Sequence, residues 1–327
     1  NLKFQGTWAI DTIRYMTGLS DYYFTNDKLE SYNNGNLLKG GLVYSDIITT
    51  VSKTYAEEIK TSFYGGGLDG LLRARSNSLY GIVNGIDYSF YNPETDPDIA
   101  VCYSSEDFVE KKAKNKAALQ RELGFEENPK AFMLGIVSRL TDQKGFDLID
   151  CVMEQICAED VQLVVLGTGE RRYEDMFRYY ADKYSDRVSA NIYYSEPMSH
   201  KIYASCDAFL MSSLFEPCGL SQLMSLRYGT LPIVRETGGL RDTVEAYNEV
   251  DGSGTGFSFA NYNAHEMLSI INYAKKVFYN DKAAWTTMQK RAMEKDFSWN
   301  SSAREYEKLY DKLLDPSGDK EDETNML

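Results

Sequence analysis

Between Ser105 and Tyr279 the chain alternates short apolar runs with longer helical patterns, and this alternation limits the folds open to it. The apolar runs are 131–137, 161–166, 188–194, 208–211, 231–234 and 255–259. Helical patterns lie between them over 146–157, 172–184, 201–205, 222–228 and 264–279, and a charged helical stretch over 106–123 precedes them. Runs that are apolar throughout belong to strands covered on both faces. The pattern therefore predicts an α/β fold around a parallel sheet. Ligands of such sheets bind beyond the carboxyl ends of the strands, so the residues after each run are the candidates for chemistry.

The first ninety residues read differently. They are rich in Tyr, Gly and Asn, with turn clusters at 33–35 and 65–67 and strands expected over 46–52 and 79–83. Asn92-Pro93 and Asp96-Pro97 then punctuate the chain, as a domain crossover would. The final stretch from Asp315 is polar and acidic and reads as a frayed tail. With 327 residues, 43% of them hydrophobic, the chain can bury about two domains' worth of core. No apolar run approaches the roughly 18 residues of a membrane span.

Forty-nine acids against 35 bases give a net charge of −14. That disfavours nucleic acid and anionic membranes as partners, so any bound phosphate needs a local site. The five cysteines (Cys102, Cys151, Cys157, Cys206 and Cys218) form no Cys-x-x-Cys pair and read as reduced, buried thiols. His200 and His265 are the two histidines, too little material for structural zinc or a His-based triad.

Four strand ends carry suggestive residues. After 131–137 comes Ser138-Arg139-Leu140-Thr141-Asp142-Gln143-Lys144-Gly145, in which Arg139 and Lys144 could clamp a diphosphate. Solvated surface cations are the alternative. After 161–166 come Gly167-Thr168-Gly169, where backbone can approach a ligand or simply turn. Arg172 occupies the third-glycine position of a dinucleotide fingerprint, which disfavours a nicotinamide cofactor. After 208–211 comes Phe215-Glu216-Pro217-Cys218-Gly219-Leu220, in which Glu216 could bind sugar hydroxyls or cap the next helix. After 231–234 comes Thr237-Gly238-Gly239-Leu240, an anion nest or a glycine-rich turn. Cations, nests and a carboxylate on one sheet edge point to a nucleotide sugar.

The segments over 138–145, 215–220 and 237–240, together with Asn1-Leu2-Lys3-Phe4-Gln5-Gly6 and Asn84-Gly85-Ile86-Asp87, resemble the bacterial glycogen synthase and plant starch synthase family in order and spacing. The resemblance runs from Asn1 to about Leu314. Glu-Pro-Cys-Gly-Leu separates this family from most other retaining glycosyltransferases. Met224 stands where the broader class has a second Glu, a departure compatible with this branch.

The resemblance implies a GT-B fold, two Rossmann-like domains with parallel sheets, the N-terminal one incomplete here. Residues 1–87 would end the acceptor-side domain, and 88–298 would form the ADP-glucose-binding domain. Residues 299–314 would be a helix returning to the first domain, and 315–327 a disordered tail. It implies transfer of glucose from ADP-glucose to the non-reducing end of an α-1,4-glucan (glycogen or a maltooligosaccharide), with retention and without metal or cofactor. Arg139 and Lys144 would neutralise the departing diphosphate, and Glu216 would hold the glucose and stabilise charge at its anomeric carbon. Asn84, Gly167, Cys218, Gly219, Leu220, Thr237, Gly238 and Gly239 would line the donor, and Tyr194 would stack on adenine. A buried sheet aromatic is the competing reading of Tyr194.

The family's Lys-x-Gly-Gly-Leu loop and the His before the position of Asn1 are not found. Lys39-Gly40-Gly41-Leu42 is one residue too short and is rejected as that loop. The expectation is a fragment, or a gene without its front, that binds ADP and catalyses weakly alone. A cytoplasmic or plastid location is expected. The alternatives are a non-catalytic nucleotide- or glucan-binding remnant and a transferase using UDP-glucose.

Overall fold

The computed structural model describes residues 2–157 and 160–314. Asn1, at the head of one family-like segment, and the expected tail over 315–327 lie outside the described residues. The chain divides into two compact units, Asn1–Val83 and Asn84–Leu327.

The first unit carries five short strands: β1 (Thr7–Trp8), β2 (Glu30–Ser31), β3 (Asn34–Asn36), β4 (Ile48–Thr50) and β5 (Leu79–Gly81). β1, β3 and β2 form an antiparallel sheet, and β4 pairs in parallel with β5, Ile48 opposite Leu79. Leu42, Ile48, Tyr55, Ile59, Leu68 and Leu72 form its core. Lys39-Gly40-Gly41-Leu42 lies inside the helix Leu37–Tyr44, which Asn36 caps by accepting from the Lys39 amide. The Lys39 amine donates to the Asn26 and Glu30 carbonyls at 2.5 and 2.6 Å. The segment is a tied-down helix, not a ligand loop.

The second unit is built on six parallel strands: β6 (Phe132–Val137), β7 (Val161–Leu166), β8 (Val188–Asn191), β9 (Ala208–Met211), β10 (Leu231–Arg235) and β11 (Phe257–Phe259). Their order is β11-β10-β9-β6-β7-β8. Side chains alternate between faces, and both faces are apolar. Phe132, Leu134 and Ile136 of β6 join one core with Met267, Ile271 and Phe177, while Met133 joins the other with Phe108, Leu119 and Ile202. That two-sided burial explains why β6 and β9 read as unbroken apolar runs. The order reverses between β6 and β9, so their carboxyl ends open the crevice where doubly wound sheets bind ligands.

Two helices depart from expectation. The stretch 146–157 breaks at Val152, which leaves helical geometry (φ −123°, ψ 17°) and is fully buried, giving Phe146–Cys151 and Met153–Ile156. The helix expected from 201 starts at Glu196 instead. Ser195 caps it by accepting from the Met198 amide, and Pro197 sits in its first turn. Ser-x-Pro at a strand exit was the legible start signal.

The helix Phe108–Glu122 sends Lys112 into the interior. Its amine donates to Ala204 O at 3.0 Å, Tyr228 O at 3.0 Å and Thr230 Oγ1 at 2.8 Å. Burial pushes its pKa down to about 7. An unfolded lysine titrates near 10.4, so between these values the unfolded chain binds more protons and stability rises with pH. Relative to Lys112→Met, the wild type should gain up to about 1.4 kcal/mol per pH unit between pH 7 and 9. Denaturant melts of both proteins at each pH check this, and a pH-independent difference contradicts it.

Candidate active site at the carboxyl edge of the six-stranded sheet

β6 runs out into Ser138 and Arg139, and a single 3-10 turn over Asp142–Lys144 brings Lys144 back beneath the sheet edge. The turn closes on Gly145 (φ 74°), packed so tightly that a Cβ would collide with the Ser212 carbonyl. Glycine is required there by both conformation and space. Ser212, just past β9, donates from Oγ to the Lys144 and Gly145 carbonyls (3.0 and 3.1 Å). The Leu214 amide bonds Gln143 O at 2.9 Å, and the Gln143 amide group reaches Phe215 O at 3.2 Å. The loops after β6 and β9 are thus stitched together residue by residue.

This stitching places Lys144 Nζ 2.5 Å from Glu216 Oε2. Glu216 is buried, and Ser213 Oγ donates to the same oxygen at 3.1 Å. Glu216 does not cap the following helix Ser221–Arg227, whose N-cap is Leu220 without a side-chain bond. Its charge is balanced by Lys144, since desolvating a lone carboxylate costs several kcal/mol. Arg235, at the end of β10, holds the backbone beneath it by donating to Ser213 O at 2.8 Å and Leu214 O at 2.5 Å. Sequence reasoning missed Ser213, Gln143 and Arg235. Arg235 was legible only as a cation at a strand end.

Thr237, Gly238 and Gly239 back this loop. The Gly239 amide donates to the Glu216 and Pro217 carbonyls at 3.0 and 3.2 Å, so that part of the expected anion nest is committed within the protein. A Cβ on Gly239 would collide with the Cys218 carbonyl. Gln222 fastens the segment from the other side by donating to Cys218 O and Gly219 O (2.9 and 3.0 Å). Burial pushes the Cys218 thiol up to about 11 while the Asn84 backbone N–H bonds to it. The thiol is protonated at neutral pH, and the bond brings Asn84 beside Cys218.

Two cavities open along the crevice. One, of about 140 Å³, is lined by Arg139, Lys144, Ser212 and Ser213. The other, of about 330 Å³, is lined by Arg139, Gly167, Thr168, Tyr91, Tyr193, Tyr194, Glu196 and Leu220. Arg139 belongs to both. Tyr194 lies beyond β8 and is 84% exposed, which removes the buried-aromatic reading. Arg139, Lys144, Gly167, Tyr194 and Leu220 therefore line two cavities that share Arg139, with Glu216 bonded to Lys144. Asn84, Cys218, Gly219, Thr237, Gly238 and Gly239 line neither cavity. Among the described residues, Asp96, Asp98 and His200 form the one group with metal-ligand composition, and none of them lines either cavity. His200 Nδ1 and the Tyr228 hydroxyl both bond Asp96 Oδ2, which makes this group an internal hydrogen-bond network.

The family model described as the starch synthase catalytic domain matches residues 1–74, and that of glycosyl transferases group 1 matches residues 117–281. A glycogen synthase of Lachnospira eligens is 70% identical over 96% of the chain. The chain belongs to the glycogen and starch synthase family. A Clostridium acetobutylicum glycogen synthase is 50% identical over the same share. This synthase-family chain spans 66% of the length of both relatives. The solved catalytic domain of starch synthase IV from Arabidopsis thaliana, bound to ADP and acarbose, matches it with a TM-score of 0.88 at 33% identity, covering 95% of this chain and 65% of that one. The α/β fold is thus of the GT-B class. Among the described residues no helix is long and apolar enough to cross a membrane.

Proposed function

We propose that this chain carries the donor site of a cytoplasmic synthase that transfers glucose from ADP-glucose to the non-reducing end of an α-1,4-glucan with retention of configuration. The observation that carries the reading is the Lys144–Glu216 pair beside Arg139 at the sheet's switch point. Arg139 and Lys144 face the diphosphate, in the role a divalent cation fills elsewhere. As the bond from the anomeric carbon to the phosphate oxygen breaks, its electron pair stays on ADP. Negative charge gathers there and positive charge on the sugar, where fixed charges stabilise it. The acceptor hydroxyl bonds to the carbon from the same face, and its proton passes to the departing phosphate oxygen. Glu216 stabilises the sugar, and Tyr194 stacks on the base. A bound ADP and acarbose in the starch synthase IV domain support the nucleotide and glucan assignments.

The test is a thermal melt of this chain with ADP, ADP-glucose, UDP-glucose and NAD. Ligand at a hundred times its Kd should stabilise by about 2.7 kcal/mol. ADP and ADP-glucose should raise the midpoint, with less effect from UDP-glucose and none from NAD. Arg139→Ala should abolish the rise. A rise with UDP-glucose alone would favour a UDP-glucose transferase.

A further inference from the structure

We infer that Glu196 selects the nucleotide base, accepting a hydrogen bond from an exocyclic amino group and so favouring an aminopurine over a keto pyrimidine. The inference rests on the donor reading above and adds the residue that makes the choice.

Glu196 lines the larger cavity with Arg139 and Tyr194. Its backbone is fixed, because it opens the helix Glu196–Ser205 behind the Ser195 cap and its carbonyl accepts from Ser199 Oγ at 2.7 Å. Its carboxylate is not. Among the described residues the side chain has one hydrogen bond, from the Tyr91 hydroxyl at 3.5 Å, and no cation within ion-pair distance. A carboxylate offers about four lone-pair sites, so most of its acceptor capacity is open.

Charge then decides what can fill that capacity. A carboxylate repels phosphate, and the cation for the diphosphate, Arg139, belongs to the same cavity. The part of a nucleotide that suits Glu196 is a base edge bearing N–H donors. Adenine presents its 6-amino group as a donor, whereas the corresponding O4 of a keto pyrimidine is an acceptor. A half-buried acceptor facing O4 is left unpaired, and sites built to bond a donor reject analogues lacking it.

The wall beside Glu196 is rigid. The Tyr91 ring stacks on His200 with centroids 4.9 Å apart and planes 26° apart. His200 is held by Asp96 Oδ2 at 2.6 Å, and Tyr228 bonds the same oxygen. Burial and the Glu196 charge push the Tyr91 phenol up to about 12, so it stays a donor. The buried Asp96–His200–Tyr228 network therefore acts through Tyr91 as the positioning group for this side of the cavity.

The experiment is calorimetric titration of the chain with ADP, purine riboside 5′-diphosphate (the same base without its 6-amino group) and UDP. The wild type should bind ADP about tenfold or more tighter than the deaminated analogue, the scale of one charge-assisted bond. Glu196→Ala should bring the two within about threefold, mainly by weakening ADP. Glu196→Gln, whose amide can turn an N–H toward O4, should bind UDP several-fold better relative to ADP, and it keeps the shape of the helix start should Ala disturb it. A Glu196→Ala protein that binds ADP and keeps the tenfold preference overturns the inference and leaves the donor reading standing. A wild type that binds none of the three overturns both.

Discussion

Lys144→Ala should lower glucose transfer from ADP-glucose by about two to three orders of magnitude, the scale for losing one preorganised charge at a reacting centre. It should also destabilise the fold. Removing Lys144 strands the buried Glu216 carboxylate, which costs about 3–5 kcal/mol when a buried pair is broken from one side. The two effects separate in a double variant. Lys144→Ala with Glu216→Gln removes the stranded charge and should recover most of the stability, measured by denaturant melts. It should still turn over more slowly than Glu216→Gln alone, measured as glucose incorporated into glycogen. If the double variant matched Glu216→Gln in turnover, Lys144 would be a structural partner of Glu216 and nothing more.

Glu216→Gln should separate turnover from nucleotide binding. Turnover should fall about a thousandfold, because an amide cannot offset positive charge on the sugar. ADP should nevertheless bind several-fold more tightly. Glu216 is the internal counter-ion of Lys144, at 2.5 Å, and a diphosphate must compete with it for that amine. Ser213 Oγ, at 3.1 Å, can still bond a Gln carbonyl, so the loop should keep its shape. Calorimetric titration with ADP reads the effect. Weaker ADP binding in a well-folded Glu216→Gln protein would show that the pair does not compete with phosphate.

Much of the second unit was legible because burial on both faces writes itself into a strand. β7 coincides with its apolar run over 161–166, and β9 with 208–211. The first unit was harder. Its helix Leu37–Tyr44 contains two adjacent glycines and only eight residues, too little periodicity to mark a helix without its Asn36 cap. The apolar run over 188–194 outlasts β8, which stops at Asn191, and so masks that the helix Glu196–Ser205 begins five residues before 201.

From sequence alone, Arg139, Lys144, Gly167, Glu216 and Thr237 could be placed at the carboxyl ends of successive parallel strands, since a run of apolar residues and the turn that follows it are local properties. Which ends are neighbours is not local. The order β11-β10-β9-β6-β7-β8 sets β6 against β9, although 70 residues of chain lie between Val137 and Ala208. That pairing alone makes the cation after one strand the partner of the carboxylate after the other. The β9–β10 pairing brings Arg235 under Ser213, and helix and crossover packing bring Tyr91 beside Glu196. Those contacts depend on long-range register and close packing, which no window of sequence contains, and they convert a row of ambiguous strand ends into a site.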